Sequence, residues 1–541
     1  MVNQRPAVEL DPILAELGAF GRYNIVNYAF LLFPVYLAGI YGSIYVFEAP
    51  DINYRCHISE CNHIENTSSW LTNVIPLVKD ELSKCTRYPL RKNITVDNVT
   101  CSSEQFDTSK EEKCLSFDYL EDYSIVYDFD LGCQNWKRTL VGTIHNAGLF
   151  VSLPLTGVLS DKFGRKTALA VASLMNGVFG LIRSFAVNYE MLLVFEFLET
   201  ALGAGAYSTA FVLAIELVGP KGRVFGNTII NVVYVFGLMS LSALSWQLQN
   251  WRSLLQIVYT PALLVFSYLW ILNESVRWLL SKGRSDDAVK ILRGAAKMNR
   301  VELPEELLAP LMEVQKVPLV DKEEPEVEAK PDSTLADAIK SKIILKRVVV
   351  CSFLWITCTF VYYGLSINSV SLAGNKYVNF MLVGFVEIPA NFVCLLVLDK
   401  YGRKRTLIIT YVLSACLCMS LSFLPKDQKW CSLVIYLSGK FSITVAYSSV
   451  YIYVSEVFPT SVRQSLLAVC SSLGRVGSTL APLTPLLALY YDNLPAIFFG
   501  SLALIASVLV FTLPETINMP LPDTIEDAER LSRRKAEEED A

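Results

Sequence analysis

Two ionisable residues, Glu387 and Arg475, stand deep inside uncharged stretches of this 541-residue chain. Each lies twelve positions from a charged turn, Glu387 from Asp399 and Arg475 from Arg463. At about 1.5 Å per residue along a helix, that spacing amounts to about 18 Å. It is close to the midplane of a hydrocarbon core about 30 Å thick. An ionised side chain there costs about 2.5–3.5 kcal/mol, so each calls for a partner, a wet cavity or a function. A carboxylate receives an amine or a quaternary ammonium, and a guanidinium grips a carboxylate with two prongs. Carrying both suits a zwitterion or an amine with a polar tail. The plainer reading is that the two pair with each other, or with neighbours, to hold helices together.

Other embedded groups are weighed the same way. Lys440, counted from Glu456, and Glu199, counted from Glu216, lie about 24 Å along. They suit an outer gate or a static pair across two helix bundles. His145 either couples the chain to protons or is a hydrogen-bonded packing residue. No metal-ligand cluster, nucleophile motif or phosphate-binding glycine loop is present, and three histidines offer little acid–base equipment. The reading is therefore no enzyme, no metal and no cofactor.

The elements that position these groups follow from composition. Hydrophobic residues make up 52% of the chain and charged ones 18%, with a mean hydropathy of +0.39. That is too apolar for a soluble chain of this length. The net charge of −5 carries no nucleic-acid signature. Uncharged runs of about 20 residues span a bilayer as helices. Such runs lie near 24–47, 140–160, 167–187, 190–215, 225–248 and 253–272, and again near 347–367, 378–398, 406–424, 430–454, 465–488 and 495–513. The spacing predicts twelve helices, six per half, the first too long and too acidic at its flanks for a cleaved signal.

A charged turn occurs twice between these runs, Asp161-Lys162-Phe163-Gly164-Arg165-Lys166 and Asp399-Lys400-Tyr401-Gly402-Arg403-Lys404. A second pair of marks, Glu216 with Arg223, recurs at nearly the same offset as Glu456 with Arg463. Repetition on that scale points to a transporter of two similar bundles with its binding site between them. Gly164 and Gly402 suit tight turns, and the Asp and Arg residues are expected to pair across helix ends and act in gating.

The basic turns, and the long segment 273–346, would face the cytoplasm together with both termini; Lys426 and Lys429 depart from that pattern. The stretch 48–138 then lies outside. Its six cysteines, Cys56, Cys61, Cys85, Cys101, Cys114 and Cys133, suit up to three disulfides, and Asn66, Asn93 and Asn98 head glycosylation sequons. A fourth sequon at Asn273 would stay bare inside. Cysteines from Cys351 onward read as apolar fillers. Residues 286–298 have helical apolar spacing, 321–330 reads as a solvated linker, and the polar tail 523–539 is expected to be partly helical.

Several motifs go further. Glu274-Ser275-Val276-Arg277-Trp278-Leu279-Leu280-Ser281-Lys282-Gly283-Arg284, the start Leu17-Gly18-Ala19-Phe20-Gly21-Arg22, the run Val361-Tyr362-Tyr363-Gly364-Leu365-Ser366, the stretch from Ser455 to Arg463 and the ending Leu513-Pro514-Glu515-Thr516 span nearly the whole chain. They resemble the organic cation, anion and carnitine transporter family of the major facilitator superfamily. The resemblance implies plasma-membrane carriers of small organic ions working by alternating access. It also implies an acidic substrate position at Glu387, a basic one at Arg475, and aromatic positions at Tyr362, Tyr363 and Tyr207. An aromatic face attracts a cation by about 0.5–2 kcal/mol. Tyr447, Tyr451 and Tyr453 are weaker candidates. Where the family's fourth helix begins with an Arg in R-L-L-Q-G, this chain has Glu196-Phe197-Leu198-Glu199-Thr200.

The expected architecture is an all-α membrane protein of two pseudo-symmetric six-helix bundles in the major facilitator fold. Its parts are a cytoplasmic N-terminus (1–23), a first helix (24–47), an extracellular loop domain (48–138), the rest of the first bundle (139–272), a cytoplasmic linker (273–346), the second bundle (347–513) and a cytoplasmic tail (514–541). The expected function is a carrier of small organic cations or zwitterions, binding through Glu387, Arg475, Tyr362, Tyr363, Tyr207 and Lys440. The alternatives are an organic-anion exchanger in which Arg475 and Lys440 bind and Glu387 is structural, and a receptor-like homologue that binds without transporting.

Overall fold

The computed structural model describes residues 10–313, 338 and 340–530, apart from 19, 62–66, 79–80, 92–100, 219, 426–427, 460–461, 518, 520–521 and 523. Twelve long helices form where the apolar runs lie. In the first lobe they are α1 (Arg22–Glu48), α2 (Asn135–Phe163), α3 (Arg165–Ser184), α4 (Tyr189–Leu217), α5 (Pro220–Leu248) and α6 (Trp251–Ile271). The second lobe has α7 (Lys342–Ser371), α8 (Lys376–Tyr401), α9 (Arg403–Phe423), α10 (Lys429–Val457), α11 (Arg463–Leu487) and α12 (Leu494–Val510). Among the described residues, 10 helices are long and apolar enough to cross a membrane on their own. The other two are α12, with 17 residues, and α2, whose buried face carries Thr139, His145, Asn146, Ser152 and Thr156. A helix that keeps its polar side inside a bundle need not be apolar all round.

Local signals set the helix starts. Asn188, Asn250, Ser341 and Asn375 each accept a backbone N–H two or three residues on, as N-caps do. The lobes meet along α2 with α11 and α5 with α8. At one face this seam is closed by aromatic rings. Phe47 stacks on Tyr377 at 5.7 Å and meets Phe380 edge-on at 5.0 Å, while Trp246 stacks on Tyr377 at 6.0 Å. Ser242 donates to the Tyr377 carbonyl at 2.8 Å, so the first lobe is hydrogen-bonded to the second at the same place.

Above that face sits the domain between α1 and α2. Its cysteines pair as Cys56–Cys114, Cys61–Cys101 and Cys85–Cys133, around a small core of Ile58, Trp70, Val74, Ile75 and Phe106. Strands β1 (Tyr54–Cys56) and β2 (Phe117–Tyr119) pair antiparallel at its base. So small a core relies on its cross-links. The domain is seated on both lobes: Asp128 accepts from Trp251 at 3.0 Å and Arg252 at 2.9 Å, and Tyr123 accepts from Lys376 Nζ at 2.5 Å. The sequons at Asn66, Asn93 and Asn98 lie outside the described residues. So do the expected linker 321–330 and the tail beyond Arg530. Asn273 is exposed and donates to Tyr23 Oη at 3.1 Å.

At the opposite face the two charged turns build the same clamp twice. In the first lobe Arg165 reaches Asp161 at 2.8 Å and Glu216 at 3.6 Å, Ser275 donates to Glu216, and the Arg165 and Lys166 amides donate to Glu274 at 2.9 and 3.1 Å. In the second, Arg403 reaches Asp399 at 3.8 Å and Glu456 at 3.0 Å, Thr516 donates to Glu456 at 2.6 Å, and the Arg403 and Lys404 amides donate to Glu515 at 3.0 and 3.2 Å. A carboxylate at a helix N-terminus meets both the free amides and the positive end of the dipole. Arg463 donates to the Phe458 carbonyl at 3.3 Å, and Arg223 holds the matching place in α5. The expected pairing across helix ends thus forms, and the described ion pairs of Arg165 and Arg403 fasten helices within one lobe. Glu274 and Glu515 are the clamp members that reading the repeated turns passed over.

Below the first lobe, the surface helix Ser285–Asn299 buries Val289, Leu292 and Ala295 against Leu10, Ile13, Leu14 and Leu17 of the N-terminal segment. Asn299 closes that joint, accepting from the Tyr23 amide at 2.7 Å and donating to the Leu17 carbonyl at 2.9 Å.

The clamp turns require glycine on two counts. Gly164 and Gly402 have φ of +100° and +87°, and a Cβ at either would fall 2.2 or 2.8 Å from the carboxylate of Glu274 or Glu515. Gly402→Ala is expected to cost about 1–3 kcal/mol, seen as a lower unfolding midpoint of the purified protein. Gly157→Ala, at an open position on α2 with nothing within 4 Å, should leave that midpoint no lower, Ala being the better helix former.

Candidate functional site

Helices α7, α8 and α10 bring Glu387 and Lys440 together in the second lobe. Lys440 Nζ lies 2.9 Å from Glu387 Oε1, donates to Ser366 Oγ at 2.7 Å and to the Tyr362 carbonyl at 3.2 Å, and sits 3.2 Å from the Tyr362 ring centroid. Lys440 is 0% exposed and Glu387 5%. Each of the three ammonium protons has an acceptor, which is the condition under which a buried ion pair is tolerated. This placement corrects one expectation: Lys440 is not paired with Glu199 across the bundles. Nor does it offer a free ammonium to a ligand, because Glu387 and α7 take up its hydrogen bonds.

Arg475 is placed differently. Its guanidinium lies among Tyr363, Tyr447 and Tyr451, with a side-chain hydrogen bond to Tyr363. Among the described residues no carboxylate pairs with it. The expected alternative of a Glu387–Arg475 pair is therefore also set aside, since Glu387 has Lys440.

Around these groups tyrosines from both lobes converge. Tyr207 on α4 and Tyr234 on α5 lie 5.5 Å apart, ring to ring. Tyr207 is within electrostatic reach of Tyr363, Tyr451 and Arg475, and Tyr234 within reach of Tyr363, Glu387 and Arg475. In the second lobe Tyr362 stacks on Tyr447 at 5.3 Å and meets Tyr363 edge-on at 5.2 Å. Trp355 stands 4.2 Å from Tyr451, which is 40% exposed. Tyr207, Tyr362 and Tyr363 are thus gathered with Glu387 and Arg475. Tyr447 and Tyr451 join them, and Tyr234 was not singled out from the sequence. Tyr453 does not join: it is fully buried and donates to the Pro514 carbonyl at 2.7 Å. One carboxylate, one ammonium and one guanidinium leave this site with a single net positive charge, centred on Arg475.

The first lobe has a charge cluster of its own. Arg183 on α3 pairs with Glu196 on α4 and lies 3.6 Å from Glu199 and 3.5 Å from Glu48; its other nitrogen donates to Tyr259 Oη at 3.2 Å. His145 Nδ1 is 2.7 Å from Glu196. The hydrogen-bonded packing reading of His145 fits this contact. The departure at Glu196 also gains a physical account, for the acid placed there is met by an Arg on the neighbouring helix. His145, Glu196 and Glu199 have ligand-type atoms within 4.8 Å of one another. The Arg183 guanidinium already supplies the positive charge at that point, so the arrangement is an ion-pair network rather than a metal seat.

Comparisons with known proteins agree with this geometry. Residues 94–527 match the family model described as sugar (and other) transporter. The chain is 32% identical to an organic cation transporter protein of Drosophila melanogaster, over 98% of this chain and 96% of that one. It is 31% identical to organic cation/carnitine transporter 2 of Mus musculus, over 97% and 94%. Among solved structures, the inward-open xylose transporter XylE from E. coli matches with a TM-score of 0.59 at 15% identity, over 94% of this chain and 100% of that one. That likeness shows the major facilitator fold. The chain is therefore a multi-pass membrane transporter of the sugar (and other) transporter family, in the branch of the organic cation and carnitine carriers.

Proposed function

We propose that the chain carries a small zwitterion, a quaternary or primary amine that also bears a carboxylate, across the plasma membrane by alternating access. Both termini and the two clamps face the cytoplasm in this reading, and the disulfide domain faces outward, where oxidising conditions and the lack of basic turns agree with it. The observation that carries the reading is the set of tyrosines from both lobes enclosing Arg475, a cation with no carboxylate of its own. A substrate carboxylate takes the guanidinium in a two-pronged grip. Its cationic end rests on the faces of Tyr207, Tyr234 and Tyr447, where each face is worth about 0.5–2 kcal/mol, the Tyr362 ring being taken by Lys440 and Tyr447. The Glu387–Lys440 pair holds α8 and α10 in place behind Tyr362 and adds an acceptor on the cation's side.

Because Arg475 stands on the second lobe while Tyr207 and Tyr234 stand on the first, binding links the lobes and rocking exposes the site to each side in turn. The organic-anion alternative draws on the same unneutralised Arg475. A purely anionic substrate, however, would leave the rings of Tyr207 and Tyr234 on the first lobe with no cation to meet. A receptor-like homologue would bind labelled carnitine without accumulating it, so accumulation in sealed proteoliposomes is the deciding assay.

Two outcomes follow. Arg475→Ala should lower uptake of carnitine and beta-alanine by about tenfold or more while tetraethylammonium uptake falls far less, because a charge-assisted hydrogen bond worth about 1.5–3 kcal/mol is lost only for carboxylates. Equal loss for all three compounds at matched surface expression would count against the reading. For the ion pair, Glu387→Gln alone and Lys440→Met alone should each destabilise the purified protein by about 3–5 kcal/mol, since each leaves a buried charge unmatched. The double variant should recover most of that loss, measured as thermal midpoints in a double-mutant cycle.

A further inference from the structure

The cluster in the first lobe is not used by the zwitterion site, and its charges do not balance. Glu48, His145, Arg183, Glu196 and Glu199 are each 0 or 1% exposed. Three carboxylates face one guanidinium, so even a charged His145 leaves the group negative. An unmatched charge in so dry a region is too costly to persist, and a bound proton is the remedy. The hydrogen bonds say where it sits. Glu196 has Arg183 on one oxygen and His145 on the other. Glu48 has no hydrogen-bond partner on either oxygen, and the guanidinium stands 3.5 Å away. Glu199 has one oxygen without a partner and a side-chain hydrogen bond with Tyr259, so Glu48, with neither oxygen met, is the carboxyl best kept neutral.

Around the cluster stand Tyr41 and Tyr45 on α1, His145 on α2, Arg183 on α3, Glu196 and Glu199 on α4, and Tyr259 on α6, with Arg183 the group in contact with Glu48. The preceding residue is Phe47, the ring that closes the seam against Tyr377 and Phe380. Phe47 and Glu48 share the single turn of helix Tyr45–Glu48. Parting the lobes at this face takes the second lobe's Tyr377 and Phe380 off that turn, which keeps its first-lobe cover.

We propose that Glu48 is a proton-binding site, loaded from the extracellular medium when the Phe47 seal is open and locked away when it closes, so that external pH sets how readily the carrier shuts. An ionised Glu48 resists burial, so raising external pH slows closure. With the seal shut, the cluster is closed to both faces; the proton leaves by the way it came, and no net proton flux accompanies the substrate.

Infrared spectroscopy of the purified carrier tests the site without any substrate. At neutral pH the wild type should show a protonated-carboxyl C=O band that Glu48→Asp shifts in frequency and Glu199→Asp leaves in place, both variants keeping the cluster's charge. The uptake arm rests on the carrier reading above. Labelled carnitine uptake should fall as external pH rises from about 6 to about 9, with a limiting slope of about tenfold per pH unit, the mark of one proton. In Glu48→Gln that dependence should vanish, and a pH dye in the liposome lumen should stay flat in both. Absence of the band in the wild type, an unshifted band in Glu48→Asp, a shifted one in Glu199→Asp, an unchanged pH profile in Glu48→Gln, or luminal acidification with uptake would each overturn the proposal. A wild type that shows the Glu48 band yet accumulates no carnitine would contradict the carrier reading and support the site.

Discussion

A charge inside a membrane must be answered by another charge, a proton or a solute, and the arrangement of this molecule follows from that demand. Lys440 answers Glu387 at 2.9 Å with every donor satisfied. Arg183 answers Glu196 and stands near Glu199 and Glu48. Arg475 alone among these embedded groups is surrounded by phenols instead of by an acid. Hydroxyls solvate a guanidinium without cancelling its charge, so the seam between the lobes keeps a standing attraction for anionic groups. That is the property a transporter needs at a place reached in turn from either side: enough affinity to be visited, without a resident partner that a substrate must displace.

The rest of the fold makes each lobe stiff enough for that attraction to matter. The two clamps repeat almost atom for atom, with Glu274 and Glu515 seated on helix N-termini and Arg165 and Arg403 reaching back to Glu216 and Glu456. Because the described ion pairs of the clamps stay within a lobe, they do not have to break for the lobes to move. What must break at the other face is a set of ring contacts around Tyr377 and one hydrogen bond from Ser242. Aromatic stacking of that kind is worth about 0.5–1.5 kcal/mol per pair beyond its area. It is weak enough to be exchanged on each cycle and, with several pairs together, strong enough to hold one state.

Much of this was legible in the chain. The apolar runs set the helices because length and lack of charge are what a bilayer selects, and the repeated Asp161 and Asp399 turns announced two lobes. Glycine at positions 164 and 402 was expected from the turn itself. The pairing of charges was not legible. Counting residues gives depth along a helix but not the direction a side chain faces, so Glu387 was matched in depth with Arg475 when its partner was Lys440 on the facing helix. Glu48 and Arg183 stand at the ends of apolar runs, where a charge reads as the edge of a span. Only packing shows that their side chains turn inward. Tyr234 carried no signal because tyrosines are frequent in this chain, and convergence on one point is a property of the fold.

The central claim is that Arg475 is held unpaired so that a substrate carboxylate can complete it, with the cation end against tyrosines from both lobes. The most direct measurement is a cryo-electron microscopy map of the carrier in lipid nanodiscs with carnitine bound. The account predicts the carboxylate within hydrogen-bonding distance of the Arg475 guanidinium, and the trimethylammonium group among Tyr207, Tyr234 and Tyr447. Carnitine density away from Arg475, or Arg475 turned onto a protein carboxylate with carnitine present, would contradict it.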